Sequence, residues 1–137
     1  MQWKGMIKEG SVCEQIAASI DFYPTLAKLI NIDLKEERII DGVDITNLLL
    51  GKKNRIPRKE FFYMDQNRGL KAIRSENWKL FLGEKPILYN LKDDIGERQN
   101  VAEKHTEIVK QLTQRSKDFE ESLNKNKRRS GLIPIEQ

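Results

Sequence analysis

Between Phe61 and Leu91 apolar residues recur with a period of two, in four short runs parted by brief turn-like segments. Phe61 and Tyr63 alternate with Phe62 and Met64, and Leu70, Ala72 and Arg74 with Lys71, Ile73 and Ser75. Trp78, Leu80 and Leu82 alternate with Lys79, Phe81 and Gly83, and Ile87, Tyr89 and Leu91 with Leu88, Asn90 and Lys92. Such alternation puts successive side chains on opposite faces of a strand. The breaks are Gln66-Asn67-Arg68-Gly69, Ser75-Glu76-Asn77 and Gly83-Glu84-Lys85-Pro86. A parallel crossover needs about a dozen residues, so these breaks permit only an antiparallel meander. The period then changes. Ile108, Leu112, Phe119 and Leu123, with Val109 beside them, fall on one helical face, and Lys, Glu, Gln and Arg take the other. This predicts a helix over about 104–126, ended by Ser130-Gly131 and kept from restarting by Pro134. The expected class is α+β: a four-stranded antiparallel sheet packed against a long C-terminal helix, preceded by a helical and loop segment.

Residues 1–57 read differently from 58–137. A polar stretch from Gly5 to Gly10 leads into a run from Val12 to Ile20. Asp21 is suited to cap a helix over roughly 21–31, with Pro24 tolerated in its first turn and Asn31 as its stop. Phe22, Leu26, Leu29 and Ile30 give that helix one apolar face. The charged stretch from Asp33 to Ile40 reads as a surface loop, and Asp41-Gly42 as a turn in which Gly supplies positive φ. Thr46 is expected to cap a short turn carrying Leu48, Leu49 and Leu50, ended by Gly51. Lys52-Lys53-Asn54-Arg55 then leads to Pro57 as a connector.

A chain of 137 residues with 38% hydrophobic and 34% charged residues can bury a modest core. The single Cys13 excludes an internal disulfide and a cysteine-based zinc site. No apolar stretch approaches the ~20 residues that span a bilayer, and no membrane partner is expected. The N-terminus Met1-Gln2-Trp3-Lys4-Gly5 has no hydrophobic run of a secretory signal. The net charge of +4 gathers at Lys125, Lys127, Arg128 and Arg129. A basic end of this kind suits nucleic acid or an anionic surface. No aromatic is interleaved to stack on bases, so a solvated helix end is the better reading and nucleic acid is not the expected partner.

Four phrases carry a resemblance: Ile20-Asp21-Phe22-Tyr23-Pro24-Thr25-Leu26, Asp41-Gly42-Val43-Asp44, Arg74-Ser75-Glu76-Asn77-Trp78-Lys79-Leu80, and Leu88-Tyr89-Asn90-Leu91-Lys92-Asp93-Asp94-Ile95-Gly96-Glu97-Arg98-Gln99-Asn100-Val101. In this order they resemble the C-terminal region of arylsulfatase-type sulfatases, from about Gly5 to Leu123. Asn90, Ile95 and Glu76-Asn77 depart from the family wording, each by a change of turn chemistry. The resemblance implies an alkaline-phosphatase-like sulfatase C-terminal region. Residues 1–57 would be the tail of the catalytic domain (strand, helix 21–31, loop), and 58–137 the C-terminal subdomain. The implied parent is a sulfuric ester hydrolase, periplasmic or secreted, acting on a small sulfated substrate, with sugars in view. It would use calcium and a formylglycine made from Cys or Ser in a Cys/Ser-x-Pro-x-Arg motif.

Cys13 is followed by Glu14, Gln15, Ile16 and Ala17, so it does not match that motif. Asp41 with Asp44, and Asp93 with Asp94, are the close acidic pairs, and turn and cap duty explains them better than a cation. His105 is expected as an exposed helix-start histidine. There is no paired-carboxylate arrangement, no Gly-x-Ser-x-Gly elbow and no phosphate-cradling Gly-rich loop. Tyr89 and Trp78 read as core aromatics, and Arg74 and Lys79 as partners for acids on neighbouring strands. No catalytic or metal-ligating residue is therefore expected in this chain, and alone it is expected to be inactive. The substrate-binding candidates are Asp65, Gln66, Asn67 and Arg68, because the resemblance implies that subdomain loops border the substrate cleft; a solvated hairpin loop is the simpler alternative. The expected partner is a sulfatase catalytic domain. A non-catalytic module that self-associates through the apolar faces of Phe22 to Ile30 and Leu48 to Leu50 is the alternative.

Overall fold

The computed structural model describes residues 2–34, 39–52, 58–66 and 69–126. The expectations for 35–38, for the connector residues 53–57, for Asn67 and Arg68, and for Lys127, Arg128, Arg129, Ser130, Gly131 and Pro134 lie outside the described residues. The chain forms two compact units, residues 1–61 with 74–79, and residues 62–73 with 80–137.

In the first unit a short 3-10 turn, Ser19–Asp21, runs into α1, Phe22–Leu29. Asn31 stops this helix in the left-handed region at φ 56°. The N–H of Ile32 bonds the carbonyl of Ala27 at 2.9 Å, and that of Asn31 the carbonyl of Lys28 at 3.2 Å. This is a Schellman end, with Asn in the place Gly often takes. α2, Thr46–Leu49, closes the same way. Gly51 sits at φ 68°, and the N–H groups of Lys52 and Gly51 bond the carbonyls of Asn47 and Leu48.

The structure corrects the start of α2. Thr46 is its first residue and Ile45 its N-cap, and Asp44, one residue earlier, accepts the Thr46 N–H at 2.8 Å and its hydroxyl. The strand implied within 1–57 is also absent among the described residues. A strand needs a ladder partner, and no described segment of the chain pairs with residues 11–18. The apolar stripe of α1 faces outward, with Phe22 41%, Leu26 58% and Ile30 65% exposed. The small residues Pro24, Thr25 and Ala27 pack inward instead.

The four strands are β1 (Glu60–Met64), β2 (Leu70–Ser75), β3 (Trp78–Phe81) and β4 (Ile87–Asn90). They lie in the order β1-β2-β3-β4, the antiparallel meander that the short breaks demand. β2 departs from strict alternation, because Ala72 and Ile73 are both fully buried. In β4 it is Leu88 that is fully buried, while Ile87 is exposed and Tyr89 half-buried.

A 3-10 turn, Ala102–Lys104, precedes α3, Thr106–Asn126. Leu112 is buried, and Phe119 stacks on Phe62 of β1 with ring centroids 3.8 Å apart. The apolar stripe contains a polar surprise. Ser116 is buried, its hydroxyl donating to the Leu112 carbonyl at 2.8 Å, while Leu123 is exposed at the helix end.

Candidate functional site

The most connected side chain in the first unit is Asp21, fully buried among hydrogen-bond donors. Its carboxylate accepts the N–H of Ala18 at 2.8 Å and that of Val43 at 2.9 Å. Arg58 forks onto it through Nε at 3.0 Å and through Nη2. That guanidinium also donates to the Asp41 carbonyl at 2.8 Å and the Glu60 carbonyl at 3.4 Å. Burial works to raise the Asp21 pKa, but the Arg58 hydrogen bond, the N–H groups of Val43 and Ala18 and the Arg58 charge outweigh it. The carboxyl is held below its ordinary 3.8.

Asp21 therefore does not cap its own helix as the sequence suggested; its side chain makes no hydrogen bond to the first turn of α1. It clamps the 41–43 loop and the approach to β1 instead. Thr25 adds a second joint. Its hydroxyl donates to the Asp21 carbonyl and accepts the N–H of Ile45 at 3.0 Å. Gly42 stands beside them for a reason other than positive φ. A Cβ there would lie 2.1 Å from the carbonyl oxygen of Ile20.

Arg58 is the residue that sequence reasoning missed. It follows a basic, polar connector, and nothing in its spacing distinguishes it from the Lys and Arg around it. A buried arginine is betrayed only by a fixed carboxylate, and Asp21 lies 37 residues away.

The substrate-loop candidates divide. Asp65 closes the β1–β2 hairpin, its carboxylate accepting the N–H of Gly69 and its own N–H bonding the Gly69 carbonyl, both at 2.9 Å. Gln66 is exposed at the turn, and Asn67 and Arg68 lie outside the described residues. Asp93 and Asp94 do turn duty, as expected. Asp93 accepts the Asn90 amide at 2.6 Å, and Asp94 accepts the N–H groups of Arg98 and Gln99, each at 2.8 Å. The side-chain oxygen of Asn100 accepts the N–H groups of Leu88 and Ala102, each at 3.0 Å.

His105 is half-buried rather than exposed, and its carbonyl accepts the N–H of Val109 at 3.1 Å. The position between two helical turns wraps chain around it. Tyr89 and Trp78 are half-buried, and Tyr89 meets Phe81 edge-on at 6.1 Å. Arg74 donates to the carbonyl of Glu76 in its own turn at 3.4 Å, not to an acid on a neighbouring strand.

Residues 1–122 match the family described as N-sulphoglucosamine sulphohydrolase, C-terminal. The chain belongs to the sulfatases. It is 32% identical to arylsulfatase A of Bos taurus, over 86% of this chain and 28% of that protein. It is 28% identical to an N-acetylgalactosamine-6-O-sulfatase of Bacteroides thetaiotaomicron, over 83% of this chain and 25% of that protein. The fold resembles the crystal structure of the PsFucS1 sulfatase from Pseudoalteromonas sp., with a TM-score of 0.81 and 21% identity, over 93% of this chain and 30% of that one. This sulfatase chain thus spans between a quarter and a third of the length of these relatives.

The residues of this sulfatase region fit neither of the groups the family implies. Among the described residues no three His, Cys, Asp or Glu side chains converge to hold a metal ion. Cys13 is exposed and outside the modification motif. No helix among the described residues is long and apolar enough to cross a membrane. The residues that carry the family wording are joints of the fold: Asp21, Thr25, Gly42, Asp94 and Asn100 each fix a backbone approach.

Proposed function

We propose that this chain serves as the C-terminal part of a sulfate-ester hydrolase whose nucleophile and metal ligands come from sequence outside these 137 residues. The observation that carries the reading is the family match over 1–122, in a chain whose shared residues hold loops and termini. Residues 1–57 are the tail of the catalytic domain and 58–137 the C-terminal subdomain. The exposed stripe Phe22, Leu26 and Ile30 of α1 is the surface that the catalytic domain covers. A sulfated sugar is the substrate class, by analogy with the N-acetylgalactosamine-6-O-sulfatase relative. The β1–β2 loop, Asp65 to Arg68, borders the cleft, with Gln66 and Arg68 as its donors and Asp65 holding the loop shut.

The test begins with the coding sequence upstream of Met1, where a Cys/Ser-x-Pro-x-Arg motif is expected in frame. The complete polypeptide should then hydrolyse an aryl sulfate with divalent-cation dependence, and residues 1–137 alone should not. Turnover by the isolated chain, or an upstream sequence without that motif, would overturn the reading.

The outward stripe of α1 also favours a second reading, a self-associating module without catalysis. Sedimentation of the chain as a monomer at every concentration would remove it.

A further inference from the structure

A cavity of about 360 Å³ opens beside the β2–β3 turn, within the range of small-molecule sites. Arg58 forms part of its wall, but its guanidinium is engaged by Asp21 and two carbonyls. Arg74 is different. It is half-buried, and beyond the long bond from Nε to the Glu76 carbonyl its guanidinium donates to no described residue. Its terminal nitrogens carry four N–H groups in the planar fork that matches an oxyanion. Lys59, on the same cavity, pairs with no carboxylate among the described residues.

The rest of the lining has the opposite sense. Glu14 and Glu76 bring carboxylates, and Gln15 and Asn77 bring amides. A bare anion would be repelled by those two carboxylates and would leave the amides unused. A neutral polyol would leave Arg74 unmatched. We propose that this cavity binds an acidic sugar unit, its carboxylate or sulfate on Arg74 and Lys59 and its hydroxyls on the flanking carboxylates and amides. The inference requires binding without turnover, so it stands or falls separately from sulfate hydrolysis.

The test is an NMR titration of the 137-residue chain with glucuronate, glucose 6-sulfate, glucose and inorganic sulfate. Both acidic sugars should give saturable shifts centred on the Arg74 Nε–H and the Glu76 and Asn77 amides. Glucose and inorganic sulfate should bind about tenfold more weakly, because each satisfies only half the lining. Arg74→Ala should abolish the shifts and Arg74→Lys should weaken binding several-fold, since lysine lacks the fork. Should Arg74→Ala fail to fold, the exposed Lys59→Ala carries the test, with a several-fold loss expected. Shifts centred elsewhere, inorganic sulfate binding as well as the sugars, glucose binding equally, or unchanged binding in a folded variant would each overturn the proposal.

Discussion

Replacing Asp21 by Ala removes the acceptor of four hydrogen bonds, from Ala18, Val43 and twice from Arg58. Bonds to a charged acceptor contribute about 1.5–3 kcal/mol each, but summing four overshoots because burying the pair costs desolvation. The relevant reference is loss of one partner from a buried pair, about 3–5 kcal/mol, since Arg58 is left buried without its counter-charge. We expect Asp21→Ala to cost about 4 kcal/mol, a large share of the ~5–15 kcal/mol typical of a domain. At this chain length that corresponds to a fall in Tm on the order of 10–15 °C. Urea titration followed by the fluorescence of Trp3 and Trp78 measures it. A double variant, Asp21→Ala with Arg58→Met, should be less destabilised than the sum of the singles by about 1–3 kcal/mol. A single-variant cost below about 1 kcal/mol, or strict additivity in the cycle, would refute the clamp.

Acid should act through the same group. Because the folded carboxyl is held below 3.8, its contribution is complete above that pH and is lost as pH falls further through the folded value. Urea midpoints against pH should drop below 3.8 in the wild type more steeply than in Asp21→Asn, and parallel curves would reject the assignment. Gly42→Ala should destabilise by at least about 1–3 kcal/mol, since its Cβ would lie 2.1 Å from a backbone oxygen; calorimetry reads this as a lowered Tm. Glu76, at φ 52°, holds its turn in the left-handed region that glycine adopts without strain, so Glu76→Gly should stabilise by about 0.5–1 kcal/mol in the same scan.

Local chemistry was readable where it acts over a few residues. The meander followed from breaks too short to cross over, and Asn31 and Gly51 both end helices in the left-handed region. Asp93 and Asp94 serve turns, as their spacing implied. Reading was poorer wherever a side chain could choose between a near and a distant partner. A carboxylate before a helix is a good cap on paper, but Asp21 turned to a cation far along the chain. Asp65 is the contrasting case, with its carboxylate on the Gly69 N–H of its own hairpin.

The order of polar and apolar residues by itself determined the four strands, their sequence in the sheet and the long last helix, because each rests on short-range periodicity and turn chemistry. The resemblance to sulfatases was legible instead in the wording of particular phrases, such as Asp21 to Leu26 and Leu88 to Val101. Tertiary structure alone decided that Arg58 is buried, that Gly42 is required by a neighbouring carbonyl, and that the apolar stripe of α1 faces outward. Those outcomes depend on which segments meet across tens of residues. Hydrophobic pattern says that a face seeks cover, and only the packed chain says whether its own residues provide it.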